Sequence, residues 1–322
     1  MKKIIALTLA AVILISFAAC SKVKEETEEM IPDKVEEKLP DLNDKDTVDK
    51  GNDGNLLDSD TPTTGTVEAP VEKNDATKEA NAEETKEASE YSKYSDTRYG
   101  FGFTRSEKGV VPPIGFYLDM MKGKNAAYLG NTNEKTIYLT FDEGYENGYT
   151  ASILDTLKEK NVTAAFFCTG DYVTRNKDLI GRMVNEGHIV GNHSWNHKSM
   201  PSLSETEFKE ELKKIDDFMK ENFGYTVTYL RYPNGEFSEK TLEMAKDLGY
   251  KTAFWSVAYK DWDTSVINGA DYAVNQVLNH IHNGAIILLH AVSKDNTEAL
   301  GTIIDKLREE GYTFASLNSL SF

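Results

Sequence analysis

Ile137-Tyr138-Leu139-Thr140-Phe141 leads into a helical pattern over Ala151 to Lys160, and that leads into Ala164-Ala165-Phe166-Phe167-Cys168. An apolar run, an amphipathic helix and a second apolar run make a strand–helix–strand unit. Repeated, such a unit argues for a parallel sheet. The alternation continues to the end of the chain. Further strands are expected at His188-Ile189-Val190, Thr228-Tyr229-Leu230, Thr252 to Val257, Ala285 to Leu289 and Thr313 to Leu317. Helices are expected at Lys177 to Glu186, Glu205 to Asn222, Glu239 to Leu248, Ala270 to His282 and Thr297 to Glu310. Ser204, with Glu207 three residues on, forms a capping box. Gly187, Gly249, Gly284 and Gly311 stand where helix C-terminal caps stand. About seven strands in strict alternation with helices, without a dinucleotide-type glycine loop, predict an α/β fold, a distorted (β/α) barrel of parallel strands.

In such barrels the chemistry sits at the C-terminal ends of the strands. The first strand ends in Asp142-Glu143, and the third leads into His193 and His197. The fourth leads into Arg231, the fifth is followed by Asp261-Trp262, and the sixth ends in His290. These polar residues occupy one kind of position and are expected to converge on one rim. His188 lies at a strand start, and His280 and His282 lie near a helix C-terminus, so all three read as structural.

The chain before residue 95 has a different character. Lys2 and Lys3 precede an apolar run, Ile4 to Ala19, too short for a membrane span, which needs roughly 20 residues. It ends in Phe17-Ala18-Ala19-Cys20, similar to a bacterial lipobox. Residues 1–20 therefore read as a lipoprotein signal peptide with Cys20 as the lipid attachment site. The alternative is a signal peptide cut elsewhere, with Cys20 incidental. Residues 21–90 hold 22 acidic and 9 basic residues and no aromatic, which accounts for most of the chain's net charge of −17. So polar a stretch cannot bury enough surface to offset its chain entropy. A disordered tether is expected over 21–94, an extended arm packed on the domain over 95–135, and the catalytic domain over 136–322. The tether would reach on the order of 45–50 Å. No basic stripe marks the domain, so nucleic acid is a poor partner, and no obligate protein partner is evident. Cys168 lies in an apolar run with nothing basic beside it and reads as a small buried hydrophobe.

Two histidines four apart, His193 and His197, suit zinc or a similar divalent ion if the turn between them is helix-like. Alone, such a pair is as often a surface or packing feature. Adjacent acids on a strand end point apart, so one of Asp142 and Glu143 can face a metal while the other faces the reacting centre. His290 is placed as a general acid, Asp261 could orient it, and Arg231 could hold a carboxylate by two hydrogen bonds. A base, an acid, two orienting groups and a metal set are what metal-assisted hydrolysis of an amide requires.

Taken in order, Thr140-Phe141-Asp142-Glu143-Gly144, His193-Ser194-Trp195-Asn196-His197, Arg231-Tyr232-Pro233-Asn234-Gly235, Asp261-Trp262 and Leu288-Leu289-His290 resemble the motifs of the polysaccharide deacetylases, the family 4 carbohydrate esterases with a NodB homology domain. The resemblance implies that Asp142 is the catalytic base and that Glu143, His193 and His197 hold a divalent metal, zinc with cobalt or manganese as alternatives. It implies that His290 protonates the leaving amine, that Arg231 orients Asp142 and that Asp261 orients His290. The N–H of Asn234 would stabilise the oxyanion, and Trp262 would wall the sugar site. Glu143 departs from the family, which has aspartate there, so His193 and His197 could hold the ion with water in the third position. Tyr99 to Phe103, Phe141 to Thr150, Phe254 to Trp262 and His290 to Asn296 resemble more closely the delta-lactam-forming muramic-acid deacetylases of spore cortex. The expected substrate is therefore N-acetylmuramic acid in peptide-free peptidoglycan strands, reached by an exported enzyme lipid-anchored on the outer face of the cell membrane. An N-acetylglucosamine deacetylase and a non-catalytic wall-binding lipoprotein are the alternatives.

Overall fold

The computed structural model describes residues 89–322. The export segment, Cys20 and the tether up to residue 88 lie outside the described residues. Packed chain begins earlier than the expected tether boundary at 94. Tyr91 is buried in the main core, and its hydroxyl donates to Asp247 Oδ2 at 3.2 Å. Tyr94 packs against the same core, and the Ser89 hydroxyl donates to Glu205.

The strands are β1 (Tyr99–Gly100), β2 (Ala126–Ala127), β3 (Thr136–Glu143), β4 (Ala165–Cys168), β5 (Ile189–Asn192), β6 (Tyr229–Leu230), β7 (Glu236–Phe237), β8 (Lys251–Ala253), β9 (Ile286–His290) and β10 (Thr313–Phe314). The helices are α1 (Tyr117–Met121), α2 (Thr150–Glu159), α3 (Gly170–Arg175), α4 (Lys177–Asn185), α5 (Glu205–Phe223), α6 (Glu239–Asp247), α7 (Ala270–Leu278) and α8 (Lys294–Glu309). All seven expected strands exist. With β2, which is not among the expected strands, they form a curled parallel sheet of eight strands in the order β10-β3-β4-β5-β6-β8-β2, with β9 pairing β3 as well. The Ser204–Glu207 capping box is present, and the four glycines expected after helices all have positive φ.

One expected strand is cut short. Thr252 to Val257 pairs regularly only to Ala253, because Ala253 O and Phe254 O accept hydrogen bonds from Arg231 Nε (2.9 Å) and Nη2 (3.3 Å). Beyond the regular pairing two isolated bridges reach the β9 side of the sheet, Val257 to Ile287 in parallel and Leu129 to Ala285 antiparallel.

Side-chain alternation divides the core in two. Tyr138, Ala165, Phe167, Ile189, Ala253 and Ile286 share the inner cluster. Ile137, Leu139, Phe141, Phe166 and Cys168 belong to the larger cluster that also contains the apolar residues of the helices. Period two along β3 therefore puts Asp142 on the face of Tyr138 and Glu143 on the face of Leu139 and Phe141.

Candidate active site

Register aligns the strand ends. Asp142 lies opposite both His290 and Phe167, Glu143 opposite Cys168, Cys168 opposite Asn192, and Asn192 opposite Leu230. His193 and Arg231 are the next residues of their strands, two register positions beyond Asp142 and so on the same face of the sheet. A cavity of about 470 Å³ opens there, lined by Asp142, Gly144, Tyr145, His193, His197, Asn234, Gly235, Trp255, Trp262, Leu288, His290 and Val292, with Arg231 buried behind Asp142.

Arg231 is fully buried, with its guanidinium 4.2 Å from the centre of the Phe167 ring. Gly191 makes room for that ring, because a Cβ there would stand 2.5 Å from it. Arg231 Nη1 donates to Asp142 Oδ1 at 2.8 Å. Burial alone would raise the Asp142 pKa. The charge of Arg231, with those of His193 and His290, outweighs it and holds the carboxyl below its ordinary value. Asp142 is thus an ionised base, fixed by one oxygen and free at the other.

His290 is its counterpart. Asp261 Oδ1 stands 2.7 Å from His290 Nδ1, and Asp261 Oδ2 accepts from the His290 backbone N–H at 2.8 Å. Asn296 Nδ2 also donates to Oδ2, at 2.5 Å, and the Tyr259 hydroxyl donates to Asn296 Oδ1 in turn. Burial opposes charge on His290, but the hydrogen bond and charge of Asp261, with the charge of Asp142, raise its pKa above the ordinary value. Two titratable groups on neighbouring strands are pushed apart, one towards the base form and one towards the acid form.

His193 Nδ1 lies 2.8 Å from the Arg231 carbonyl, which can only accept. The proton therefore sits on Nδ1, and Nε2 is left as a lone-pair donor 3.6 Å from Asp142 Oδ2. Burial, helped by the charge of His197, pushes the His193 pKa down to about 4, and burial lowers that of His197 as well. The two rings are 4.9 Å apart. The turn between them is not helix-like, yet the rings still meet. Ser194 (φ 61°) and His197 (φ 52°) adopt the left-handed region, and this brings the rings together.

Two neutral imidazoles beside a carboxylate oxygen fit a divalent cation. Glu143 does not complete the set, which corrects the expectation drawn from the motif. It does not line the cavity, and both its carboxylate oxygens are buried without a partner. Alternation turns it to the outer face beside Cys168 and Glu146, where burial pushes its pKa well above the ordinary value. Among the described residues no three His, Cys, Asp or Glu side chains form a closed ligand set. The site presents two histidines and open positions.

Asn234 has φ 56° and Gly235 φ 67°. Gly235 N–H donates to Tyr232 O and Glu236 N–H to Pro233 O, and the Asn234 N–H takes no part in closing this turn. Trp262 is 53% exposed, its ring centre 5.7 Å from that of His290, so it offers an aromatic face beside the acid. Tyr145, Trp255, Leu288 and Val292 line the cavity without having been foreseen. Leu288 was implicit, since it lies two residues before His290 on the same strand face. Asn296 had a local signal, being third after the helix cap Ser293, but nothing local pointed it at Asp261. His188, His280 and His282 lie off the cavity. His188 Nδ1 accepts the Ala164 N–H at 3.1 Å, a packing role as expected. Cys168 is buried, its pKa raised by burial, and it remains a thiol.

Comparison with known proteins identifies the family. Residues 129–253 match the family described as polysaccharide deacetylase. The chain is 46% identical over 224 residues to the peptidoglycan-N-acetylmuramic acid deacetylase PdaA of Bacillus subtilis, covering 69% of this chain and 85% of that one. The solved structure of B. subtilis PdaA, a family 4 carbohydrate esterase, superposes with a TM-score of 0.69 at 45% identity, covering 70% of this chain and 97% of that one. A family 4 carbohydrate esterase from Bacillus anthracis gives 0.60 at 45% identity, with the same shares covered. The chain belongs to the polysaccharide deacetylase family, whose members are in general metal-dependent.

Proposed function

We propose that the protein hydrolyses the acetamide of N-acetylmuramic acid in peptide-free peptidoglycan strands. The observation that carries this reading is the pair Asp142 and His290 facing one cavity from opposite positions on neighbouring strands, the Asp142 pKa held below its ordinary value and the His290 pKa above its own. Identity to a muramic acid deacetylase favours that sugar over N-acetylglucosamine. The cavity also opens sideways. Gly144, Tyr145 and His197 line a second cleft of about 600 Å³ with Trp195, Asp171 and Thr174, which gives a polymer room to pass.

Asp142 removes a proton from water as the water oxygen attacks the acetyl carbonyl carbon. The Asn234 N–H donates to the oxygen that becomes negative, a contribution of about 3–4 kcal/mol for a well-placed donor. His290 gives its Nε2 proton to the amide nitrogen as the C–N bond breaks. The products are acetate and a free amine on the sugar. Arg231 keeps Asp142 aimed and ionised, and Asp261 keeps His290 aimed and charged. A divalent ion held by His193 and His197, zinc or in its place cobalt or manganese, would supply Lewis-acid polarisation of the carbonyl. The freed amine is then available to close on the lactyl carboxylate, giving the muramic delta-lactam of spore cortex. The reading extends to the chain's start, with an exported lipoprotein held at Cys20 on the outer face of the membrane and reaching the wall along its acidic tether.

Acetate release from peptide-free glycan strands tests the reading. It should fall by about 10²–10⁴-fold in Asp142→Asn, vanish with chelator and return with zinc. N-acetylglucosamine oligomers should yield no acetate; if they are deacetylated instead, the muramic reading fails. Glycan binding without acetate release under any metal would favour a non-catalytic lipoprotein.

A further inference from the structure

The arm before residue 129 lies outside the matched family segment, yet it grips the turn that carries the Asn234 N–H. β1 pairs antiparallel with β7, Tyr99 opposite Phe237 and Gly100 opposite Glu236, in a small sheet of its own. The Phe101 N–H donates to Gly235 O at 2.9 Å. The contact is close, since a Cβ on Gly235 would stand 2.9 Å from Trp255 and 3.3 Å from Phe101 Cβ. The Phe101 ring is buried, 4.5 Å from the Phe254 ring and edge-on to Trp255 at 5.3 Å. Phe254 O accepts from Arg231, and the Trp255 ring stands 5.6 Å from its guanidinium. Tyr117, from α1, donates its hydroxyl to Gly100 O at 2.6 Å and locks the arm from behind.

Asn234 needs such a grip. A non-glycine residue at φ 56° costs of order 1–3 kcal/mol and persists only where its surroundings over-determine it. We infer that Phe101, with β1 and Tyr117, is a positioning element that holds Asn234 in the left-handed conformation and so aims its N–H at the developing oxyanion. The catalytic unit then begins at about Tyr99. The inference deepens the hydrolase reading and rests on it, but the grip can be tested apart from activity.

The test is Phe101→Ala in the full chain, read by acetate release and by hydrogen exchange at residues 235–237. Exchange there should accelerate, and kcat should fall about 10-fold with KM within about two-fold, because one donor's aim is lost and no substrate contact is. Adding Asn234→Gly should recover at least about three-fold in kcat, since glycine adopts φ > 0 without steric cost. Should Phe101→Ala fail to fold, Tyr117→Phe is the milder variant, expected to show faster exchange at the same amides and a smaller fall in kcat. The inference is overturned by unchanged exchange in either folded variant, by an unchanged kcat, by a loss confined to KM, or by a loss that Asn234→Gly does not repair. If the wild type releases no acetate, the hydrolase reading fails instead, and exchange alone decides whether the arm grips the turn.

Discussion

Replacing Asp261 with asparagine should shift the alkaline limb of the rate profile. Three N–H groups converge on the Asp261 carboxylate, from His290 Nδ1, the His290 backbone and Asn296. Asparagine offers one carbonyl oxygen in their place. The backbone N–H and Asn296 would claim it, leaving the new amide NH₂ facing His290 Nδ1. That favours the neutral imidazole with Nδ1 as acceptor. A hydrogen bond to a charged group contributes about 1.5–3 kcal/mol, and 1.36 kcal/mol corresponds to one pKa unit. The His290 pKa should therefore fall by roughly one to two units. The sign follows from the role. His290 acts as the acid, so activity is present below its pKa and lost as pH rises through it. In the wild type that loss comes above the ordinary histidine value of about 6.5, because Asp261 and Asp142 raise the pKa. In Asp261→Asn it should come one to two units earlier, and activity above the limb should fall by about 10–100-fold. Below the new limb the rate should approach that of the wild type. The assay is acetate release against pH at saturating glycan, with circular dichroism to confirm folding. An alkaline limb that does not move would show that His290 is not the proton donor, or that Asp261 does not set its charge.

Two further substitutions probe the buried charges. Arg231→Met leaves Asp142 buried without its cation, so we expect a loss of about 3–5 kcal/mol in chemical denaturation and an acidic limb moved to higher pH in whatever activity survives. Retention of wild-type stability would show that the pair is not fixed as described. Glu143→Gln should leave zinc affinity by calorimetry within about two-fold and preserve most of the acetate release, because the side chain faces the helices. Its effect on stability has a definite sign. Burial raises the folded-state pKa of Glu143, so its stabilisation is intact below about 4.5 and is lost as pH rises towards the folded value. The glutamine variant should therefore melt higher than wild type at pH 8, by roughly 2–4 °C for each 1 kcal/mol relieved, and the difference should shrink towards pH 4. A collapse of zinc affinity would put Glu143 back among the ligands.

The barrel and its rim were legible because both rest on local periodicity. Apolar runs mark the strands, and the polar residues into which they lead mark the rim, which places Asp142, His193, Arg231 and His290 together. What escaped had its cause elsewhere in the chain. The strand through Phe254 is broken by a guanidinium that leaves the backbone at Arg231. The His193–His197 turn uses left-handed residues, and neither Ser194 nor His197 advertises that conformation as glycine would. The arm's purpose shows only where Phe101 meets Gly235.

Glu143 is the instructive error, because the rule that misplaced it also corrects it. Adjacent side chains on a strand point apart, which by itself predicts one acid for the metal and one for the reaction. The alternation has only two faces, however, and on β3 one of them belongs to the helices. With Ile137, Leu139 and Phe141 in the helix-facing cluster and Tyr138 in the inner one, the odd positions are assigned before residue 143 is reached. A second acid at this strand end is therefore committed to the outer face unless the strand twists or bulges after Asp142. The described strand stays paired with β4 through Glu143, in register with Cys168. If a divalent ion is held as proposed, the ligands left to it are His193 and His197 beside an aspartate already engaged by Arg231, and calorimetry should find zinc bound more weakly than by a closed set of three ligands.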